Sequence, residues 1–179
     1  MIRAPACLKM KRIFQALAAA LWASTAFAVD SVSVEAGRGT HNLNMARLGV
    51  QWNAQHKWFS TEGWGLARYW DLSFGGWNGG HGAVYDFGLT PVFRLERPGG
   101  TPYLEAAIGI HILSDLDIGT GSELSTRFQF GDHIGAGLRF GAQREHDLSL
   151  RLQHLSNAGI RNPNPGVNFL QLRFQHHFR

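Results

Sequence analysis

From residue 29 onward the chain alternates, position by position, between apolar side chains and small or polar ones. Val32, Val34 and Ala36 share one parity over residues 31–39. Over 45–55, Ala46, Leu48, Val50, Trp52 and Ala54 oppose Arg47, Gly49, Gln51 and Asn53. The same rhythm runs through 63–77, where Arg68 is a charged intruder on the apolar side, and through 84–97, 102–113 and 133–143. It closes with Leu148, Leu150 and Leu152 before a polar, Pro- and Gly-punctuated stretch at 157–167, then Leu170, Leu172, Phe174 and Phe178 after it. A period of two means that neighbouring side chains stand on opposite faces of a strand. The pattern therefore predicts eight strands. Residues 123–131 are less regular, and strand, helix and kinked strand all stay open there.

Which face meets water decides the fold class. Several segments are about ten residues or longer, the length that crosses a bilayer at a tilt. The face opposite the apolar one is rich in Gly, Arg, Glu, Asp and Gln, which suits a narrow, filled lumen. A soluble sandwich would turn its apolar face inward instead. Trp52, Trp58, Trp64, Trp70 and Trp77 lie mainly near strand ends, as in interfacial girdles. The prediction is an all-β protein, an eight-stranded antiparallel transmembrane β-barrel of the outer-membrane type. Short turns are expected near 56–60, 98–101 and 145, with longer surface loops at 40–44, 78–83, 114–126 and 157–167.

Composition changes one part of this picture. Residues 1–28 combine a basic start (Arg3, Lys9, Lys11, Arg12), an apolar run from Ile13 to Trp22, and Ala26-Phe27-Ala28 as a cleavage site. This reads as a cleaved signal peptide, leaving 29–179 as a single barrel domain and the bacterial outer membrane as the destination. Four of the 17 basic residues and none of the 13 acidic ones lie in that segment, so the overall charge of +4 departs with it. Bulk charge then gives no argument for a nucleic-acid partner. The single cysteine, Cys7, leaves too, so the exported chain has no disulfide framework.

Candidate chemistry gathers at the last loop. By parity His154 and Ser156 share the greasy face of Leu148, Leu150 and Leu152, and Asn168 shares that of Leu170 and Leu172. A hydroxyl, an imidazole and an orienting amide are the group types of a nucleophile, its base and the base's partner. On a lipid-facing surface they suit a lipid substrate. His176 and His177 read as interfacial residues rather than metal ligands, since no acidic or thiol partner lies nearby in sequence. Asp115 and Asp117 lack the further ligands of a calcium loop. No metal or other cofactor is expected.

The stretches His154-Leu155-Ser156-Asn157-Ala158-Gly159 and Asn162-Pro163-Asn164-Pro165-Gly166 resemble the C-terminal signature of the PagL-type lipid A 3-O-deacylases. Phe128-Gln129-Phe130-Gly131-Asp132-His133-Ile134-Gly135 and Tyr69-Trp70-Asp71-Leu72-Ser73 are similar to that family as well. The resemblance implies a serine esterase that hydrolyses the 3-O-linked acyl chain of lipid A. It implies Ser156 as nucleophile and His154 as base, with Asn157, Gly159 and Asn164 as oxyanion or loop support. The family's acidic member, a Glu fourteen residues after the His, corresponds to Asn168 here. Either Asn168 orients His154, or an acid such as Glu123 or Asp132 substitutes. Phe128 and Phe130 are candidates for the acyl groove. Implied partners are lipid A within lipopolysaccharide, the surrounding outer-membrane lipids and, as an option, a second copy of the barrel. The rival readings are a catalytically weak or silent structural or adhesion barrel, and an acyltransferase that adds a chain to lipid A.

Overall fold

The computed structural model describes residues 29–53, 59–60, 63–80, 82–97, 101–119 and 123–178. The segment read as a signal peptide and Trp58 lie outside these residues. The strands are β1 (Ser31–Gly39), β2 (Asn44–Asn53), β3 (Phe59–Ser60), β4 (Gly65–Asn78), β5 (Ala83–Glu96), β6 (Tyr103–Leu113), β7 (Phe128–Phe140), β8 (His146–Ser156) and β9 (Val167–His177). The two residues of β3 only extend the edge of β4. The other eight pair antiparallel with their sequence neighbours, and β1 pairs with β9 from Ser31↔His177 to Gly39↔Phe169. That last pairing closes the sheet, so no edge is left unpaired in the membrane. The transmembrane barrel expected from the alternation is the observed fold.

The irregular segment resolves into two parts. Phe128–Gly131 belongs to β7, which starts five residues earlier than the alternation alone indicated and ends at Phe140. Asp132, a charge on the outward parity, had masked the period of two. Residues 123–127 belong to the loop, with Glu123 bridging Asp117. Of the short turn expected at 56–60, the described part, Phe59 and Ser60, pairs with Leu66 and Gly65.

Burial follows parity with the apolar side outward. Leu48, Phe74, Ile108, Ile134, Leu150 and Leu172 are all exposed on the outer wall. Arg47, Arg94, Arg151 and Arg173 are buried in the lumen with Glu35, Asp71, Asp86, Glu105 and Asp147. Arg47 meets Asp86 at 2.6 Å, Arg94 meets Asp147 at 2.9 Å, and Arg151 meets Glu105 at 2.5 Å. Arg173 joins Glu35 at 3.1 Å and also contacts Asp71. Charges that cannot reach water persist in a barrel only when paired. Arg173→Met leaves two carboxylates short of a cation and is expected to cost about 3–5 kcal/mol. The check is the unfolding midpoint of the refolded barrel in detergent.

Toward the end bearing the 114–127 and 157–166 loops the lumen changes character. Met45, Trp77, Val84, Leu113, Leu155, Val167 and Phe169 point inward there, and Leu43, Ile118 and Leu124 fold over them from the loops. Trp77 packs on Phe169 with ring centroids 5.1 Å apart, and its indole N–H donates to Ile118 O at 3.3 Å. Trp77 is therefore part of an internal apolar plug and not of an interfacial girdle. Its odd parity within β4 assigns it to the lumen. Trp52 and Trp70, direct cross-strand partners on the outer wall at the opposite end, keep the girdle reading.

Candidate active site

Leu155 organises the site. Its side chain is fully buried in the apolar plug, so its neighbours His154 and Ser156 must project to the outer wall. Val167 and Phe169, equally buried, turn Asn168 outward in the same way. Strand register then brings residues distant in sequence together. His154 sits directly opposite Asn168 on one side and Asp132 on the other. Ser156 sits opposite Phe130. His154 Nδ1 and Asn168 Oδ1 are 2.7 Å apart. The amide oxygen can only accept, so Nδ1 carries the proton and Nε2 is left as the basic nitrogen.

Phe128 and Phe130 lie edge to face, 5.2 Å between centroids, on the outer wall of β7. Their partners on β6 are Ile112 and Ile110. An apolar track thus begins beside Ser156. On the other flank a groove of about 530 Å³ is lined by Arg38, Asp132, Leu152, His154, Asn168 and Leu170. A larger recess of about 780 Å³ lies around Phe74 and Tyr85 on the β2–β4–β5 wall, and the described residues that line it include no Ser, Thr, Cys or His.

The loop after Ser156 is tied down by one side chain. Asn157 is fully buried, and its side-chain amide donates to Ser125 Oγ at 3.0 Å and Arg161 O at 2.8 Å. Its Oδ1 accepts the Gly159 N–H at 2.9 Å. Its own backbone N–H donates to Asn164 Oδ1 at 3.0 Å. Because a backbone N–H only donates, Asn164 must present its oxygen to Asn157, and its NH2 is directed elsewhere. The Asn157 and Gly159 N–H groups are thus engaged within the loop, whereas the Asn164 amide keeps two donors. Glu123 lies in the β6–β7 loop, its backbone bridged to Asp117, while Asp132 is the register partner of His154 on β7.

Two residues near the site escaped the sequence reading as site members. Ser125 joins the two loops, donating to Arg161 O at 2.7 Å. Gly166, at φ +67°, lies against the imidazole: a Cβ there would come within 2.6 Å of His154 Cε1. The signal for Gly166 was its place at the end of an Asn-Pro-Asn-Pro-Gly run, where a left-handed residue is needed. Gly166→Ala is expected to push the imidazole off its hydrogen bond and lower turnover about tenfold or more. Steady-state assay of the refolded variant checks this, with unchanged gel mobility of the folded barrel as the control.

At the turn-bearing end, His176 and His146 are cross-strand partners on the outer wall, with Nδ1 atoms 3.3 Å apart. His177 points inward, its Nε2 3.0 Å from Asp147 Oδ2. The interfacial reading therefore applies to His176; His177 belongs to the lumen network.

A closed barrel with a charged, filled lumen, an apolar outer wall and a Ser–His pair aimed into that wall is the architecture of an outer-membrane enzyme acting on lipid. Comparison with known proteins agrees with this class. Residues 44–177 match the family model described as lipid A 3-O-deacylase (PagL). The lipid A deacylase PagL of Pseudomonas aeruginosa is 33% identical over 133 residues, covering 72% of this chain and 75% of that protein. The lipid A deacylase PagL of Bordetella bronchiseptica is 33% identical over 183 aligned positions, covering 95% and 97%. A crystal structure of the outer membrane enzyme PagL superposes with a TM-score of 0.77 at 31% identity, covering 83% of this chain and 99% of that one. The chain belongs to the PagL family of lipid A deacylases, and is an ester-hydrolysing enzyme of the outer membrane.

Proposed function

We propose that this protein removes the 3-O-linked acyl chain of lipid A with Ser156 as nucleophile, His154 as general base and Asn168 as the residue that orients the base. The observation that carries the assignment is the 2.7 Å contact between His154 Nδ1 and Asn168 Oδ1, on the lipid-facing wall and two positions from a serine. In the first half-reaction His154 Nε2 takes the Ser156 hydroxyl proton as Oγ attacks the ester carbonyl. The carbonyl oxygen becomes an oxyanion, which the Asn164 NH2 is suited to stabilise. Collapse expels the 3-oxygen of the sugar, which takes the proton from His154, and leaves the acyl chain esterified to Ser156. In the second half-reaction His154 deprotonates a water, which attacks the acyl-serine; the fatty acid is freed as Ser156 Oγ leaves and takes the proton back from His154. Phe130 and Phe128 give the departing chain an apolar track beside the nucleophile.

Asn168 can fix the imidazole tautomer but adds no negative charge to stabilise the imidazolium. Asp132, opposite His154 on β7, carries such a charge. The reading is therefore an Asn-oriented pair with Asp132 as an electrostatic neighbour. The test is mass spectrometry of lipid A from cells with and without the protein. Loss of one 3-hydroxyacyl group is expected. Unchanged lipid A would instead favour a silent barrel, which the missing family Glu would explain, and a gain of one acyl group would mark an acyltransferase.

A further inference from the structure

We propose that Arg38 binds a phosphate group of the glycolipid substrate and so sets which face of the sugar meets Ser156; this rests on the deacylase reading above. Among the described strand residues other than histidines, three charged side chains lie on the lipid-facing parity: Arg38, Arg68 and Asp132. A charge on that wall is costly, which makes each a candidate for function. Two of the three, Arg38 and Asp132, line the groove that holds His154 and Asn168. They stand on opposite sides of the imidazole. Asp132 is its direct partner on β7, while Arg38 pairs with Leu170, two residues beyond Asn168 on β9.

That asymmetry orients a substrate. On the β7 side of Ser156 the wall is Phe130 and Ile110, fit for a hydrocarbon chain. On the β1 side Arg38 is exposed, one residue from the end of its strand. One of its five N–H donors reaches Asn42 O at 3.4 Å, a long contact that leaves the fork able to take an anion. Lipid A is a phosphorylated, acylated glucosamine disaccharide, and guanidinium matches phosphate in both charge and geometry. Asp132 repels a phosphate from the other flank. With the ester carbonyl at Ser156, the acyl chain runs toward β7 and the phosphate toward β1.

The test is kinetic, on the full barrel in detergent micelles, with bisphosphorylated lipid A and the same lipid A stripped of phosphate as substrates. Arg38→Gln is expected to raise KM for the phosphorylated substrate about ten- to a hundredfold, with kcat changed by no more than about twofold. The same substitution should leave the KM for the dephosphorylated substrate close to that of the parent, and Arg38→Lys should recover part of the loss. An equal loss on both substrates, or no loss on the phosphorylated one, overturns the proposal. A second arm measures retention of both lipids by the Ser156→Ala protein with and without Arg38→Gln. Phosphate-dependent retention that needs Arg38 supports the site even if no lipid A is cleaved, so failure of the deacylase reading stays distinguishable. Displacement of lipid A by inorganic phosphate at low millimolar levels, or by phosphatidylglycerol at equal headgroup concentration, would assign the arginine to free anion or bulk phospholipid and overturn it as well.

Discussion

Replacing Ser156 with alanine is expected to abolish loss of the hydroxyacyl group, with turnover falling about 10³-fold or more. An ester in a hydrocarbon-facing groove has little access to water as a first nucleophile, so the hydroxyl opposite Phe130 has no ready substitute. His154→Ala should cost nearly as much, because an unionised serine is a poor nucleophile. Combining the two should add little, since groups that act as a unit are strongly non-additive. The fold offers no reason for either variant to fail to assemble: both side chains stand on the outer wall, and the strand is anchored by Leu155 between them. Mass spectrometry of lipid A from cells expressing each variant gives the result, and an Ser156→Ala protein that still deacylates would remove Ser156 from the mechanism.

The second large effect is a gain. Asn168→Glu restores the acid found at this place in the family, and turnover is expected to rise, by up to about 10³-fold on the scale of Asp-to-Asn changes in serine triads. Asn168→Asp is the geometrically conservative companion: it keeps the oxygen 2.7 Å from Nδ1 and changes only the charge. Single-turnover rates on lipid A micelles separate the chemical step from binding. If neither substitution accelerates the reaction, the imidazolium already has its counter-charge, and Asp132→Asn in the parent should then cost what the triad acid usually does. If Asp132→Asn is silent as well, Asp132 takes no part and Asn168 alone supports His154.

Much of the fold was legible before any coordinates, and the misreadings have definite causes. Alternation is a property of one strand, so the apolar and polar faces of β1, β2, β6 and β9 could be read directly. It carries no sign, however. Trp77 looked like a girdle residue because it is a tryptophan near a strand end, but its parity is that of Asp71 and Ser73, which puts it in the lumen. The start of β7 was obscured because Asp132, on the outward parity, breaks the apolar rhythm. The proposed set His154, Ser156 and Asn168 was legible because two of them are two apart on one strand. Gly166 and Ser125 were not, because they act through side chains they touch across the sheet or between loops, and Arg38 was not, because only the folded barrel brings β1 into the groove beside His154.

By itself the sequence determined that the chain is a strand protein with one apolar and one polar face, and that a hydroxyl and an imidazole share the apolar one. Both follow from the period of two, which needs no partner strand. Tertiary structure alone decided the register that sets His154 between Asn168 and Asp132, the plug that holds Leu155 inward, and the approach of Arg38 to the same groove. Register is a relation between strands joined by turns, loops and closure of the barrel, so no single segment encodes it.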